Sequence, residues 1–199
     1  MAIISQTDYE YIPGFLNTVC QLPGINFEKL RDEIFWEQAE IFLFGKKIKS
    51  PRLQAFIGDP KIQYTYSRTT FIAKPWTESL RLIKENLEDH TSFKFNNVLC
   101  NYYRDGMDNM GLHSDDEKEL GDNPVIASLS LGDTRSFLIQ SKTDKTQKIN
   151  FELRNDDLFI MKNEFQKKWL HGIKKTKKPK EGRINLTFRF IPREKYSPS

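Results

Sequence analysis

The chain has 199 residues, of which 38% are hydrophobic and 29% charged, with a formal net charge of +4. Its 15 Phe, 7 Tyr and 3 Trp supply the bulky apolar mass of a core, which excludes a wholly disordered chain. The length suits one domain spanning 1–199. No stretch approaches the roughly 20 apolar residues that a membrane-spanning helix needs. Residues 1–10 lack both the basic start and apolar run of a secretory signal and the Arg-rich pattern of a transit peptide. Cys20 and Cys100 sit in no motif, so an intracellular, reducing compartment (cytoplasm or nucleus) is expected. Charge is unevenly placed. Residues 162–199 hold 12 Lys/Arg against 3 Asp/Glu, while the first 161 residues carry a balance of −5. Such a basic segment suits a polyanion or an anionic surface, or serves only to solubilise.

In chain order, residues 27–36 place Phe27, Leu30, Ile34 and Phe35 on one side at helical spacing. Strands are predicted over 39–44 and 63–67, followed by a second amphipathic helix over 76–89 with Leu80, Ile83 and Leu87 as its stripe. Further strands are predicted over 98–103, 125–131, 136–140, 148–153, 157–161 and 184–190, divided by turn-forming groups such as Asp105-Gly106 and Gly132-Asp133. Beyond residue 98 no helical pattern intervenes, so the expected class is α+β but mainly β. Helices come first and a jelly-roll-like sandwich or barrel follows.

Only three histidines are present, His90, His113 and His171. His113-Ser114-Asp115 is an H-x-D element, whose i and i+2 positions face the same side of an extended segment. With His171 added, two imidazoles and a carboxylate make the facial triad of non-haem Fe(II) oxygenases, which leaves positions open for cosubstrate and O2. By composition, H-x-D arises by chance about four times in ten, so the element means little alone. The last strand strengthens it. Period-two alternation sends Arg183, Asn185, Thr187 and Arg189 to one face and Ile184, Leu186, Phe188 and Phe190 to the other. Two guanidiniums flanking an amide and a hydroxyl suit a small dicarboxylate, although a wet outer strand face would show the same alternation. Asn101 and Tyr103 share a face just before the turn that leads to His113.

In order, the chain carries Tyr11-Ile-Pro-Gly-Phe-Leu, Asn101-x-Tyr103-Arg-Asp-Gly, His113-Ser-Asp115-Asp-Glu117, Ile126-Ala-Ser-Leu-Ser, Trp169-Leu-His171 and Arg183-x-Asn185-Leu-Thr187-Phe-Arg189. From about residue 9 to residue 191 it resembles the AlkB-type Fe(II)/2-oxoglutarate-dependent nucleic-acid dealkylases, and most of all their duplex-DNA-acting branch. Tyr102 departs from the basic residue of many relatives. The resemblance implies a double-stranded β-helix (jelly roll) core over about 96–192. An N-terminal extension with helices and a nucleotide-recognition lid would fill about 1–95. It implies Fe(II) on His113, Asp115 and His171, with 2-oxoglutarate among Asn101, Tyr103, Arg183, Asn185, Thr187 and Arg189, and O2 as oxidant. The implied reaction is oxidative demethylation of 1-methyladenine or 3-methylcytosine in DNA, with RNA or tRNA demethylation as the alternative. A nucleic-acid-binding module with a vestigial iron site is the other reading.

A methyl group on a Watson–Crick edge is reached only after the base leaves its stack. Resemblance places Tyr64, Tyr66 and Ser67, together with Arg52 and Gln54, on the lid. Asp116 and Glu117 would face the cationic alkylated base, or else belong to a solvated acidic run. Ile41-Phe-Leu-Phe44-Gly45-Lys46 resembles a duplex-probing hairpin with Phe44 as its wedge, and a turn holding a core Phe is the plainer alternative. Lys174, Lys175, Lys177, Lys178 and Lys180 lie between His171 and Arg183, where they could grip phosphates or simply be solvated. A monomer is expected.

Overall fold

The computed structural model describes residues 3–43, 46–66 and 69–195. Among these, the chain runs β1 (Ile4–Ser5), β2 (Tyr9–Ile12), α1 (Phe15–Thr18), α2 (Phe27–Glu33), β3 (Glu40–Leu43), β4 (Lys46–Lys49), β5 (Leu53–Gly58), β6 (Gln63–Tyr66), β7 (Thr69–Ile72) and α3 (Glu78–Thr91). It continues as β8 (Asn97–Tyr103), β9 (Met110–His113), β10 (Ile126–Gly132), β11 (Arg135–Ser141), β12 (Lys148–Leu153), β13 (Leu158–Met161), α4 (Phe165–Lys168), β14 (Trp169–Ile173) and β15 (Arg183–Arg189).

Two antiparallel sheets form the body. One has seven strands in the order β1-β2-β13-β10-β15-β8-β5, the other four in the order β12-β11-β14-β9. Apolar side chains from both sheets, including Phe56, Leu99, Phe137, Phe151 and Phe159, pack into one shared cluster, so the sheets face one another as a jelly-roll sandwich. The opposite face of the large sheet carries Val98, Cys100, Leu129, Leu131, Ile184, Leu186 and Phe188, and the helices cover it with Leu30, Leu80, Ile83 and Leu87. Each such buried side chain contributes about 1.5–3 kcal/mol. No described helix is long and apolar enough to cross a membrane.

The long helix bears the predicted stripe, with its start and end set by caps. Thr77 accepts a hydrogen bond from the Leu80 amide, and Ser92 ends the helix in the left-handed region at φ 61°. Trp76, expected inside the helix, instead donates to Asp59 and stacks on Phe188.

The first helix stops earlier than its periodicity suggests. Ile34 is already extended, and the Trp36 indole folds back onto the Arg31 carbonyl. The next residues bridge the edge of β5 through Glu37 and Gln54. Phe35 therefore leaves the predicted stripe and stands 70% exposed beneath the Lys74 ammonium.

Seven described strands escape the sequence reading: β1, β2, β4, β5, β7, β9 and β14. They are short, and several carry no clean alternation. Nor does residue 96 divide the large sheet, because β1, β2 and β5 from the N-terminal half lie at its two edges. The stretch beyond residue 98 also holds a short helix, α4.

Candidate active site

β9 and β14 are neighbours in the small sheet, and their register sets His113 directly against His171. The two rings lie 4.3 Å apart. Such close pairing requires a glycine beside His171. A side chain on Gly172 would put its first carbon 2.8 Å from the Met110 carbonyl and 2.9 Å from that of Gly111. Asp115 follows two residues past β9, and one ligand atom from each of His113, Asp115 and His171 lies within 4.8 Å of the others. His113 Nδ1 sits 2.9 Å from the Gly111 carbonyl. The proton therefore belongs on Nδ1, and the Nε2 lone pair is left free for a metal, as ligating imidazoles require. Nε2 is 3.3 Å from Asp115 Oδ1.

Asp115 is anchored twice. Its amide donates to Gln166 Oε1 at 2.9 Å, and its Oδ2 accepts from Arg189 Nη2 at 2.7 Å. Burial alone would raise its pKa, but Arg189 with His113 and His171 holds the carboxyl well below the usual range. His171 is 5% exposed and shelved against Phe137 and Phe165. Burial, with the neighbouring His113 second, pulls its pKa down to about 3. The triad therefore stands with an ionised carboxylate and a neutral His171, the states that bind a divalent cation.

Beside the triad lies a cavity of about 560 Å³, its open mouth included. Asn101, Tyr103, Arg183, Asn185, Thr187 and Arg189 all line it with the three candidate ligands, and Arg52 and Tyr64 join them. The polar face of β15 thus points inward rather than to solvent, and every residue of that strand is buried. Arg183 Nε and Nη1 and Arg189 Nε and Nη1 are buried without hydrogen-bond partners. Unpaired buried guanidinium donors are costly, and a ligand with two carboxylates would satisfy them. Burial lowers the Arg183 pKa to about 10, so it stays cationic near neutral pH. The donor set fits a divalent metal and the unmatched forks fit a dicarboxylate.

Besides Arg189, four of the candidate cosubstrate residues are already engaged. Thr187 Oγ1 donates to Asn185 Oδ1 at 3.1 Å, and Asn185 Nδ2 donates to Ser128 Oγ at 2.8 Å. Arg183 Nη2 donates to Ser130 Oγ at 2.9 Å. Asn101 Oδ1 accepts from both Arg52 Nε at 2.6 Å and Gln54 Nε2 at 3.2 Å. Two donors on the oxygen turn the Asn101 NH2 group to the other branch of its amide.

The candidate base-contacting residues divide. Tyr64 is 1% exposed, lies alongside Phe56 and carries Arg189 over its ring at 5.1 Å. Its phenol approaches Glu117, whose carboxyl is pushed up by burial and by the neighbouring Asp115. Glu117 is not among the residues that line the cavity.

Arg52 and Gln54 were expected on a lid. Both instead belong with the large sheet, buried and bonded to Asn101. Asp116 does not line the cavity, since its neighbour Asp115 is the one turned inward. It is exposed and lies 3.5 Å from Lys142. Lys174, Lys175, Lys177 and Lys178 are on the loop that follows β14, while Lys180 pairs with Asp133. Phe44 and Ser67 lie outside the described residues, as does the side chain of Tyr66. His90 sits exposed in the last turn of α3.

Sequence reasoning missed Gln166, the anchor of the Asp115 backbone, because α4 has no helical stripe to announce it. It also gave no role to Ser128 and Ser130. Their period-two spacing on β10 was the available signal, since their partners on β15 are Thr187 and Asn185.

Residues 8–189 match the family model described as 2OG-Fe(II) oxygenase superfamily. The rat alpha-ketoglutarate-dependent dioxygenase alkB homolog 3 is 36% identical over 196 residues, covering 90% of this chain and 66% of the relative. The human DNA oxidative demethylase ALKBH2 is 35% identical over 175 residues, covering 83% of this chain and 67% of the relative. The chain thus spans about two thirds of the length of these relatives. A solved structure of OsALKBH1 superposes with a TM-score of 0.68 at 18% identity, over 94% of this chain and 99% of that one. Sequence match and sandwich agree: this chain belongs to the 2OG-Fe(II) oxygenase superfamily, among its AlkB homologues, and works with Fe(II), 2-oxoglutarate and O2.

Proposed function

We propose that the protein reverses alkylation damage by oxidatively demethylating N-alkylated bases of DNA, 1-methyladenine and 3-methylcytosine, with release of formaldehyde. The observation that carries this is the cavity in which the His113, Asp115 and His171 triad faces the unmatched forks of Arg183 and Arg189. The names of the DNA-acting relatives support the substrate class.

His113, Asp115 and His171 would hold the iron. Arg183 and Arg189, with Tyr103 and Asn101, would bind and orient the two carboxylates of 2-oxoglutarate. A metal held there would supply the oxidative chemistry, in which decarboxylation of 2-oxoglutarate by O2 would deliver one oxygen atom to succinate and the other to a methyl C–H bond. Leu99, Met110, Phe137, Met161 and Ile173 line the cavity and exclude bulk water around the reacting methyl. The hydroxymethyl group on the base nitrogen then breaks down to formaldehyde and the unmodified base.

Duplex DNA is the proposed form. Support comes from the β3–β4 hairpin, in which Leu43 pairs with Lys46 on either side of Phe44-Gly45 in the sequence. The lysines after β14 would contact phosphates. We further propose a monomer acting in a reducing compartment, which the two free cysteines support.

The test supplies the protein with Fe(II), 2-oxoglutarate and oligonucleotides bearing 1-methyladenine or 3-methylcytosine, and follows methyl loss by mass spectrometry. Loss on DNA and none with His113→Ala or Asp115→Ala is expected. Preference for methylated RNA would reassign the substrate, and no loss on any strand would sink the dealkylase reading. Phe44→Ala should lower activity on duplex more than on single strands, and equal losses would count against the duplex assignment.

A further inference from the structure

The loop that joins β14 to β15 begins at the cavity, where Gly172 and Ile173 are part of the wall. The turn that leads into β11 holds both ends of this loop. At the near end the agent is Arg135, which is 2% exposed and has no carboxylate partner among the described ion pairs. Its Nη1 donates to the Asp105 carbonyl at 2.9 Å. Its Nη2 reaches the carbonyls of Lys174 at 2.8 Å and Asp108 at 2.9 Å. A buried cation without an anion is unfavourable. What it achieves here is to gather the carbonyls of two separate loops, which a planar fork of fixed donors can do and a lysine cannot.

Further interactions close the same seam. The Thr176 amide donates to the Gly106 carbonyl at 2.9 Å. Gly106 lies so close to the loop that a side chain there would place its first carbon 2.5 Å from the Thr176 carbonyl. At the far end, Asp133 accepts from Lys180 Nζ at 3.1 Å and from the Glu181 amide at 2.9 Å. Lys180 is thereby committed inward, while Lys174, Lys175, Lys177 and Lys178 remain on the solvent side of the loop.

We propose that Arg135 is a positioning residue, fixing the backbone of residues 174–178 against the Asp105-Gly106 turn so that four lysines form a preset phosphate-binding surface beside the cavity. A backbone already held in place loses less freedom when the lysines engage a polyanion. The phosphate role rests on the DNA reading above, whereas the fixing of the loop does not.

Two variants separate the possibilities. Arg135→Met removes the fork, and Gly106→Ala wedges the seam apart while keeping the guanidinium, whose Nη2 lies 3.5 Å from the Gly106 carbonyl. The second variant matters because Arg135 also lies 5.7 Å from the Tyr103 ring and could act through the cosubstrate end instead. It also keeps the test open should Arg135→Met fail to fold. Hydrogen exchange of residues 174–178 is measured on the iron-loaded protein, together with binding of a 3-methylcytosine oligonucleotide across a salt series. Both variants should speed exchange at Thr176 by about tenfold or more. Both should also lower the slope of log affinity against log salt by about one for each phosphate that the lysines no longer engage. Unchanged exchange in the folded variants overturns the proposal. Faster exchange in Arg135→Met alone supports Arg135 as the residue that holds the loop and removes that role from the Gly106 contact. Faster exchange with an unchanged salt slope removes the phosphate role and leaves the loop unassigned to nucleic acid. Should the wild type bind no oligonucleotide, the DNA reading fails while exchange still decides whether Arg135 holds the loop.

Discussion

Arg189 and Asp115 form a buried ion pair, Nη2 to Oδ2 at 2.7 Å, that ties the strand facing the dicarboxylate site to the carboxylate of the metal triad. The pair orients both groups, since it leaves Asp115 Oδ1 toward His113 and leaves Arg189 Nε and Nη1 unmatched. Arg189→Met should strand a buried carboxylate and destabilise the metal-free protein by about 3–5 kcal/mol. Urea unfolding of the metal-free form measures this, and a loss under about 1 kcal/mol would show that solvent reaches Asp115. Saturating metal should recover part of the loss in the variant, because the cation replaces the missing charge.

Acid should unfold the metal-free protein in two windows. The folded-state pKa of His171, about 3, lies below its ordinary 6.5. Between those values the unfolded chain takes up a proton that the folded chain refuses. Stability therefore falls as pH drops through that range, by at most about 1.4 kcal/mol per pH unit. Asp115 is held well below 3.8, so its stabilisation is present above that pH and is lost as pH falls further. Urea midpoints at a series of pH values check this, and His171→Leu should abolish the upper window alone. A midpoint unchanged from pH 7 to pH 4.5 would contradict the buried neutral state.

Gly172→Ala tests whether the close approach of β9 and β14 sets the metal site. The added carbon must displace the Met110-Gly111 backbone, whose Gly111 carbonyl orients His113. Metal affinity should fall at least about tenfold, as it does when an outer partner of a ligand is removed. Titration with Mn(II) reads this directly, and unchanged affinity in a folded variant would mean that the strands shift without moving His113.

Gln54→Leu should weaken 2-oxoglutarate binding without touching it. Losing one of two donors on Asn101 Oδ1 frees the amide to rotate, a change worth about 1 kcal/mol, or roughly fivefold in affinity. The apparent KM for 2-oxoglutarate should rise while Mn(II) affinity holds. A change in metal affinity instead would place Gln54 in the fold of the site rather than in the orientation of Asn101.

Much of the site was legible in the chain because it depends on local periodicity. Alternation alone placed Arg183, Asn185, Thr187 and Arg189 on one face of a strand and put Asn101 with Tyr103. The spacing of His113 and Asp115 survived even though Asp115 lies beyond the strand. What alternation could not decide was whether that polar face met water or a cavity, since an amphipathic strand reads the same in both settings.

That decision came from the register of strands far apart in sequence, β15 beside β10 and β8, and β9 beside β14. The same limit explains Arg52 and Gln54, which the resemblance placed on a lid but whose partner Asn101 lies across a strand pair. It also explains Gln166 and Arg135, which hold backbone from remote segments. Side-chain periodicity is a property of neighbouring residues and is written in the sequence. The buried partners of a charge are a property of packing, and burial is what made these arginines and this His–Asp–His cluster into a site.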